Sequence, residues 1–293
     1  MRWSDEIVTK FNQGYGAFIL TGNVNDHFPH TGNGKRKPGV LLLGDILFQH
    51  IKKLKGFRSP QKRLLVRFDM GRGFTFPDPA DEQVFVSCLT TKTEEHPAPA
   101  SSRPQGGVPT PKNAYEALQW ISMVLKVATE RSLHCAIVIS DVDGIAPLSP
   151  FFNESQLYNA MAIVQLAQQC ALNIGQHCIL MTASSLASVH ERLRRPDSDI
   201  ALVEVTKPLE EERNSWLQNV CSATPFVAGG GARRSSSLFA MPTMGVESLA
   251  RQTQGFTYQD LQRLLRGAHS EGKALCDVDL MESRLHILRV RKN

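Results

Sequence analysis

The 293-residue sequence predicts an α/β fold, a five-stranded, mostly parallel sheet with helices on both faces, followed by a small all-helical domain. Two observations carry this. Across residues 1–208, short continuous apolar runs alternate with longer amphipathic stretches. A strand that is apolar on both sides belongs in a parallel sheet covered by helices. After Lys207-Pro208 those runs stop, and only helical periodicity continues through 209–293.

The elements follow in order. Ala17–Thr21 is the first strand and ends in Gly22-Asn23. A basic, Gly-rich loop leads to Gly39, and Val40–Leu54 reads as a helix with Leu43, Ile46, Leu47 and Ile51 on one face. Leu64–Asp69 is the second strand. In Gln83–Cys88, Val84, Val86 and Cys88 alternate with Phe85 and Ser87, which predicts a short extra strand. Thr90–Lys112, rich in Pro, Ser, Gly and Thr, reads as a mobile surface loop. Tyr115–Arg131 is an amphipathic helix, Cys135–Asp141 the clearest strand, Asn153–Leu172 a helix, Cys178–Thr182 a strand and Ala201–Val205 the fifth core strand. In the second domain Leu209–Val220 is helical, and Val227–Ser237, with its Gly229-Gly230-Gly231 and Ser235-Ser236-Ser237 runs, is a flexible loop. Three helices follow, near Gly245–Thr253, Thr257–Ser270 and Asp277–Arg291.

Composition narrows the class. The chain is 42% hydrophobic and 21% charged, as expected of a globular protein with a sizeable core. A net charge of +5 is too small to argue for nucleic-acid binding unless it is focused on one face. No apolar run approaches the roughly 20 residues needed to span a bilayer. The N-terminal Ser4-Asp5-Glu6 carries acids where a secretion signal carries a basic and then an apolar run. The six cysteines are far apart with no CxxC pair, and Cys135, Cys170 and Cys178 sit in apolar runs, so buried free thiols in a cytoplasmic protein are expected.

The chemistry-bearing pattern begins at the third strand. Ile137-Val138-Ile139-Ser140-Asp141-Val142-Asp143 is an apolar strand ending in a carboxylate, the arrangement that orients metal-bound water beside a nucleotide. Further on come Met181-Thr182-Ala183-Ser184-Ser185, the His190–Leu193 segment, Arg194-Arg195-Pro196-Asp197, a short strand, Lys207-Pro208 and Glu211-Glu212-Arg213. The stretch Leu249–Leu261 has a helix stopping near Gly255, then Thr257 capping the next helix with Asp260 at its third position. In this order the segments resemble the AAA family of P-loop ATPases, in which a strand ends in a polar sensor, a short helix leads to an arginine turn, and a helical lid follows. The resemblance covers roughly Cys135–Ala268. It implies ATP or ADP with Mg²⁺ as cofactor, Asp141 at the metal, Ser184 as the sensor, and Arg194 and Arg195 as arginine-finger residues reaching a neighbouring subunit. It also implies Gly22, Asn23, Gly34, Lys35 and Gly255 at the nucleotide, and ring-shaped homo- or hetero-oligomers.

The departures from that pattern are specific. A phosphate loop G-x-x-x-x-G-K-[ST] should follow the first strand. Here Gly34-Lys35 is the nearest match, but Pro29 stands at the first glycine, Arg36 replaces the Ser or Thr that would hold Mg²⁺, and the loop is too long. Val142 occupies the place of the water-activating Glu. Asp143, two residues along a strand-like segment, is expected to point the same way as Asp141 but further out. The basic Lys35-Arg36-Lys37 run, just before a helix N-terminus, reads first as a solvated loop, with an anion site as the alternative. Asp26, His27 and His30 lack a helix to align them as metal ligands. Phe18–Asp26 and Phe68–Phe74 resemble the front half of bacterial two-part AAA proteins, where a non-canonical ATPase-like region precedes an intact AAA module, and the terminal Leu285–Asn293 is similar to the junction between the two.

The expected function is that of a degenerate AAA+ domain, lacking a working phosphate loop and catalytic Glu, with little or no hydrolysis of its own. It would serve as scaffold or regulatory partner of an active AAA module in cis or trans. One alternative is an active ATPase using the long loop, with Lys35 on the phosphates and Asp141 and Asp143 on Mg²⁺. A second is a protein- or nucleic-acid-interaction module using Arg263, Arg266, Arg284, Arg289 and Arg291. No membrane partner is expected.

Overall fold

The computed structural model describes residues 2–30, 39–90, 108–151, 153–221 and 245–270. Residues 34–37, most of the 90–112 loop, the 227–237 loop, the helix expected at 277–291 and Arg284, Arg289 and Arg291 lie outside them. The chain divides into two compact units. One comprises Met1–Val24 and Gly44–Thr206, the other Asn25–Leu43 and Lys207–Asn293.

The first unit is built on a six-stranded sheet in the order β5-β4-β6-β7-β1-β8. Its parallel members are β1 (Ala17–Gly22), β4 (Arg63–Asp69), β6 (His134–Ile139), β7 (His177–Thr182) and β8 (Ile200–Val205). These are the five core strands the apolar runs predict. The sixth, β5 (Gly73–Thr75), turns back antiparallel on β4 and makes a three-residue edge too short to be legible as a run.

Both faces of the sheet are buried. Ile19, Val66, Ile137 and Ile179 face one core, shared with α4 (Ala114–Glu130) and α6 (Glu154–Leu172). Residues of opposite parity (Phe18, Leu65, Val138, Leu180) are at most 1% exposed as well. Apolar side chains of α1 (Arg2–Asn12) and α2 (Leu43–Ile51), including Ile7, Phe11, Leu47 and Ile51, are buried too. Sandwiching of this kind is why these strands read as unbroken apolar runs. The helices start where short polar side chains can satisfy orphan N–H groups. Asn113 accepts from Glu116 N at 2.9 Å, and Asn153 from Gln156 N at 3.3 Å. At the free edge β8 is guarded by α1, whose Lys10 Nζ donates to Leu202 O at 2.8 Å.

Two expectations are corrected here. Gln83–Cys88 is not a strand but part of α3 (Pro79–Thr90). Its buried positions Asp81, Phe85 and Cys88 follow the helical spacing, with Pro79 at the start and acids in the first turn. The expected helix from Val40 begins at Leu43, because Gly39–Leu42 is strand β3, paired antiparallel with β2 (His27–His30).

That hairpin belongs to the second unit, with α7 (Glu210–Cys221), α8 (Val246–Gln252) and α9 (Tyr258–Ser270). Asp26, 2% exposed, ties hairpin to helix. Its carboxylate accepts from Tyr258 N at 2.9 Å and Gln259 N at 2.8 Å, the free N–H groups at the start of α9. The expected cap is present beside it, with Asp260 N donating to Thr257 Oγ1 at 3.0 Å and Thr257 N donating to Asp260 Oδ2 at 2.9 Å. Phe28, Tyr258 and Trp216 stack edge to face alongside. Arg213, 3% exposed, joins α7 to α8 by donating from Nε and Nη2 to Ala250 O and from Nη1 to Pro208 O.

Candidate functional site at the strand ends

Because five strands are parallel, their carboxyl ends share one edge of the sheet, where ligands bind in open α/β folds. Gly22, Asp69, Asp141 and Ser184 all sit along it. The strand order reverses around β1, which lies between β7 and β8.

Gly22 has a positive φ of 88°, and a Cβ there would stand 2.9 Å from Val205 O. The glycine lets the chain turn off β1 while Asn23 N donates to that same carbonyl at 2.8 Å. Gly22 and Asn23 are thus part of the β1–β8 framework. Beyond them the chain enters the hairpin and returns at α2, whose first turn carries Asp45. Asp45 Oδ1 is 2.8 Å from Arg67 Nη2, a half-exposed ion pair. Gly44 makes room for it, since a Cβ there would lie 2.4 Å from Arg67 Nη2. The guanidinium also sits 5.9 Å from the Phe48 ring centroid.

At the end of β6, Asp141 adopts a left-handed conformation (φ 53°, ψ 51°), which Asp tolerates better than most residues. Its N–H donates to Thr182 Oγ1 at 3.2 Å, and its carboxylate caps nothing. Partial burial first, then the carboxylates of Asp143 and Asp69, raise its pKa from the ordinary value. Val142, fully buried, opens the short helix α5 (Val142–Ile145). This helical turn corrects the expectation that Asp141 and Asp143 share a direction, because the period-2 rule fails once the strand ends. Asp143 turns instead to the segment after β7. Its Oδ2 accepts from Ser184 N at 3.1 Å, from Ser184 Oγ, and from Ser188 Oγ at 3.1 Å.

The two segments are stitched further by Leu148 N donating to Ser188 O at 2.7 Å, His190 N donating to Ala146 O at 2.9 Å, and a bridge between Pro147 and Val189. Asp143 therefore acts as a latch on the connection that carries the basic turn. In that turn Arg195 pairs with Glu191 at 3.0 Å, and both are exposed. Arg194 is half-buried, its Nε enclosed without a partner. His190 is held below its usual pKa by burial and by the three arginines, against the pull of Glu191.

Gly255, in the second unit, has a φ of 84° in the turn between α8 and α9. Gly34 and Lys35 lie outside the described residues. Among the described residues no group of three or more His, Cys, Asp or Glu is arranged to hold a metal ion, and Asp26 is engaged as a helix cap rather than as a ligand beside His27. The sequence motifs assign no site role to Asp45, Asp69, Thr182 or Ser188. Of these, Asp69 had a legible signal as the acid closing the second apolar strand. Cys88, Cys135, Cys170 and Cys178 are free and buried, as three of them were expected to be. Among the described residues no helix is long and apolar enough to cross a membrane.

No curated protein matches the sequence. One solved structure, of a HORMA:CdnC:Trip13 complex from E. coli, contains a chain with 14% identity and a TM-score of 0.41, over 82% of this chain and 81% of that one. A family profile described as the N-terminal Rossmann-like domain of AAA+ chaperones matches residues 2–206. Through that domain, the chain belongs to the AAA+ chaperone family.

Proposed function

We propose that this chain is a degenerate AAA+ domain, keeping the family's frame without its hydrolysis and serving as scaffold or regulatory partner of an active AAA module in cis or trans. The first turn of α2 carries this reading. A working phosphate site presents free N–H groups and the positive end of the helix following the first strand. Here α2 follows directly on strand β3, and Asp45 in its first turn is held by Arg67 at 2.8 Å. A carboxylate in that first turn is itself favoured by the helix's positive end and disfavours a second anion beside it.

The other side of the site supports the same reading. Val142, where the family has its catalytic Glu, is 0% exposed and packed into the core. Asp143 is committed to three donors from the next loop. These residues do not fit Mg²⁺-nucleotide chemistry, so no hydrolytic step is assigned to them.

Calorimetric titration with ATP and ADP, with and without Mg²⁺, tests the reading. No binding is expected at millimolar nucleotide, and micromolar, Mg²⁺-dependent binding would overturn it. Val142→Glu is expected to give no turnover and to lose several kcal/mol of stability, since it buries a carboxylate without a partner. A second reading, an active ATPase using the long loop, draws support from the exposed Asp141, whose raised pKa marks a carboxylate that a cation would relieve. Its signature is nucleotide binding abolished by both Lys35→Ala and Asp141→Ala.

A further inference from the structure

Helix α6 has nineteen residues and a single charged one, Glu154, at its first position. Its inner face, from Ala160 to Cys170, fills the core. On its outer face Tyr158, Met161, Gln165, Gln168 and Leu172 are exposed, the first two and the last by 50%, 41% and 85%. A solvated helix face ordinarily carries charge. From Tyr158 to Leu172 this one carries none, and its residues recur at alternating steps of three and four, the spacing of a seam between two packed helices. Tyr115 of α4, 43% exposed, widens the seam by its ring contact with Tyr158.

We propose that this seam is a two-fold interface between two copies of the chain, with α6 packed antiparallel on α6 about Gln165. The charges select the occupant and its direction. A symmetric contact sets a surface against itself, so it tolerates only a patch without net charge, and the seam has none. Helix α4 runs alongside α6 in the same direction, with Tyr115 beside Tyr158 and Ser122 hydrogen-bonded to Gln169. Exposed Lys126 therefore lies near the Leu172 end, while Glu154 lies near the Tyr158 end. An antiparallel dyad brings each Glu154 to the Lys126 end of the other copy, pairs Tyr158 with Leu172, and lets Gln165 and Gln168 exchange amide hydrogen bonds at the centre. A parallel pairing would set Glu154 on Glu154 and Lys126 on Lys126, a repulsive arrangement. The antiparallel geometry also opposes the two helix dipoles. The interface is independent of nucleotide, so it stands or falls separately from the proposed scaffold role.

Sedimentation of the 293-residue chain over a concentration series is expected to show a monomer–dimer equilibrium. Gln165→Glu, which sets two carboxylates at the dyad, is expected to abolish the dimer while leaving the circular dichroism spectrum unchanged. Cross-linking reads the geometry in a background carrying Cys221→Ser and Cys276→Ser. Under mild oxidation Gln165→Cys should link to itself. Tyr158→Cys should link only when mixed with Leu172→Cys. A chain that stays monomeric, a dimer indifferent to Gln165→Glu, or equal self-linking at positions 158 and 165 would each overturn the proposal.

Discussion

Replacing Asp26 by Ala should loosen the second unit by an amount that its contacts set. Asp26 is 2% exposed, and its carboxylate accepts from His27 N, Tyr258 N and Gln259 N at 2.8–2.9 Å. The last two are first-turn N–H groups of α9 with no intrahelical partner. Truncation leaves them facing the vacated space and removes a negative charge from the helix's positive end. A bond to a charged acceptor contributes about 1.5–3 kcal/mol, and the charge–dipole interaction about 0.3–1 kcal/mol. Because water or the Thr257–Asp260 box can recover part of this, the expected loss is about 2–4 kcal/mol. Asp260→Ala, which removes one half of the capping box, should cost only about 1 kcal/mol. Asp26→Asn keeps one acceptor and should fall between the two. Native-state hydrogen exchange at the amides of α9, together with urea denaturation, reads the loss directly. Unchanged protection of α9 in Asp26→Ala, or a cost below about 0.5 kcal/mol, would refute the view that this carboxylate clamps hairpin to helix.

Two further predictions concern the first unit. Buried His177 is held at a pKa of about 4 by burial and the nearby His134, below the ordinary 6.5, while burial raises Asp81, whose carboxylate accepts from Leu65 N, to about 6 from 3.8. Neutral His177 gives its full contribution above pH 6.5 and loses up to about 3 kcal/mol as pH falls to 4. Asp81 runs the other way, gaining stability as pH falls through 6, so wild-type stability should be nearly flat between pH 6.5 and 4. Asp81→Asn should be more stable at pH 7 and lose about 3 kcal/mol on acidification to pH 4, and a flat variant profile in urea melts would count against the account. Gly22→Ala, forced to φ 88° with its Cβ 2.9 Å from Val205 O, should lower stability by about 1–3 kcal/mol in thermal melts, with no loss counting against a structural role.

The core strands were legible because each is buried on both faces, so every position from Ala17 to Leu20 or from Leu64 to Val66 is apolar and no pleat alternation obscures the run. The second unit's cap was legible because Thr257 and Asp260 form a local motif. What escaped the sequence is what depends on distant partners. Val84, Val86 and Cys88 alternate by accident in a helix whose buried positions are Asp81, Phe85 and Cys88, the first of them polar. Strand β2, His27-Phe28-Pro29-His30, has no apolar run of its own and contains Pro29, and it is held by pairing with β3. At the site, the positions of Asp141 and Ser184 were legible from their places at strand ends. The latch of Asp143 on Ser184 and Ser188 was not, since it depends on the chain turning left-handed at Asp141 and bringing together residues more than forty positions apart.

The hairpin at residues 27–42 also sets a timetable for synthesis. Asp26 and Phe28 leave the ribosome early, while the α9 amides and ring they hold lie about 230 residues later. At roughly 5–20 residues per second, that interval is about 12–46 s. Through it Phe28, 2% exposed in the finished protein, has no Tyr258 to cover it. The first unit's sheet can close as soon as β8 is made, whereas the hairpin stays unfinished until the chain has passed residue 258. A nascent chain arrested between those two points would expose an aromatic strand for chaperones or aggregation partners to find.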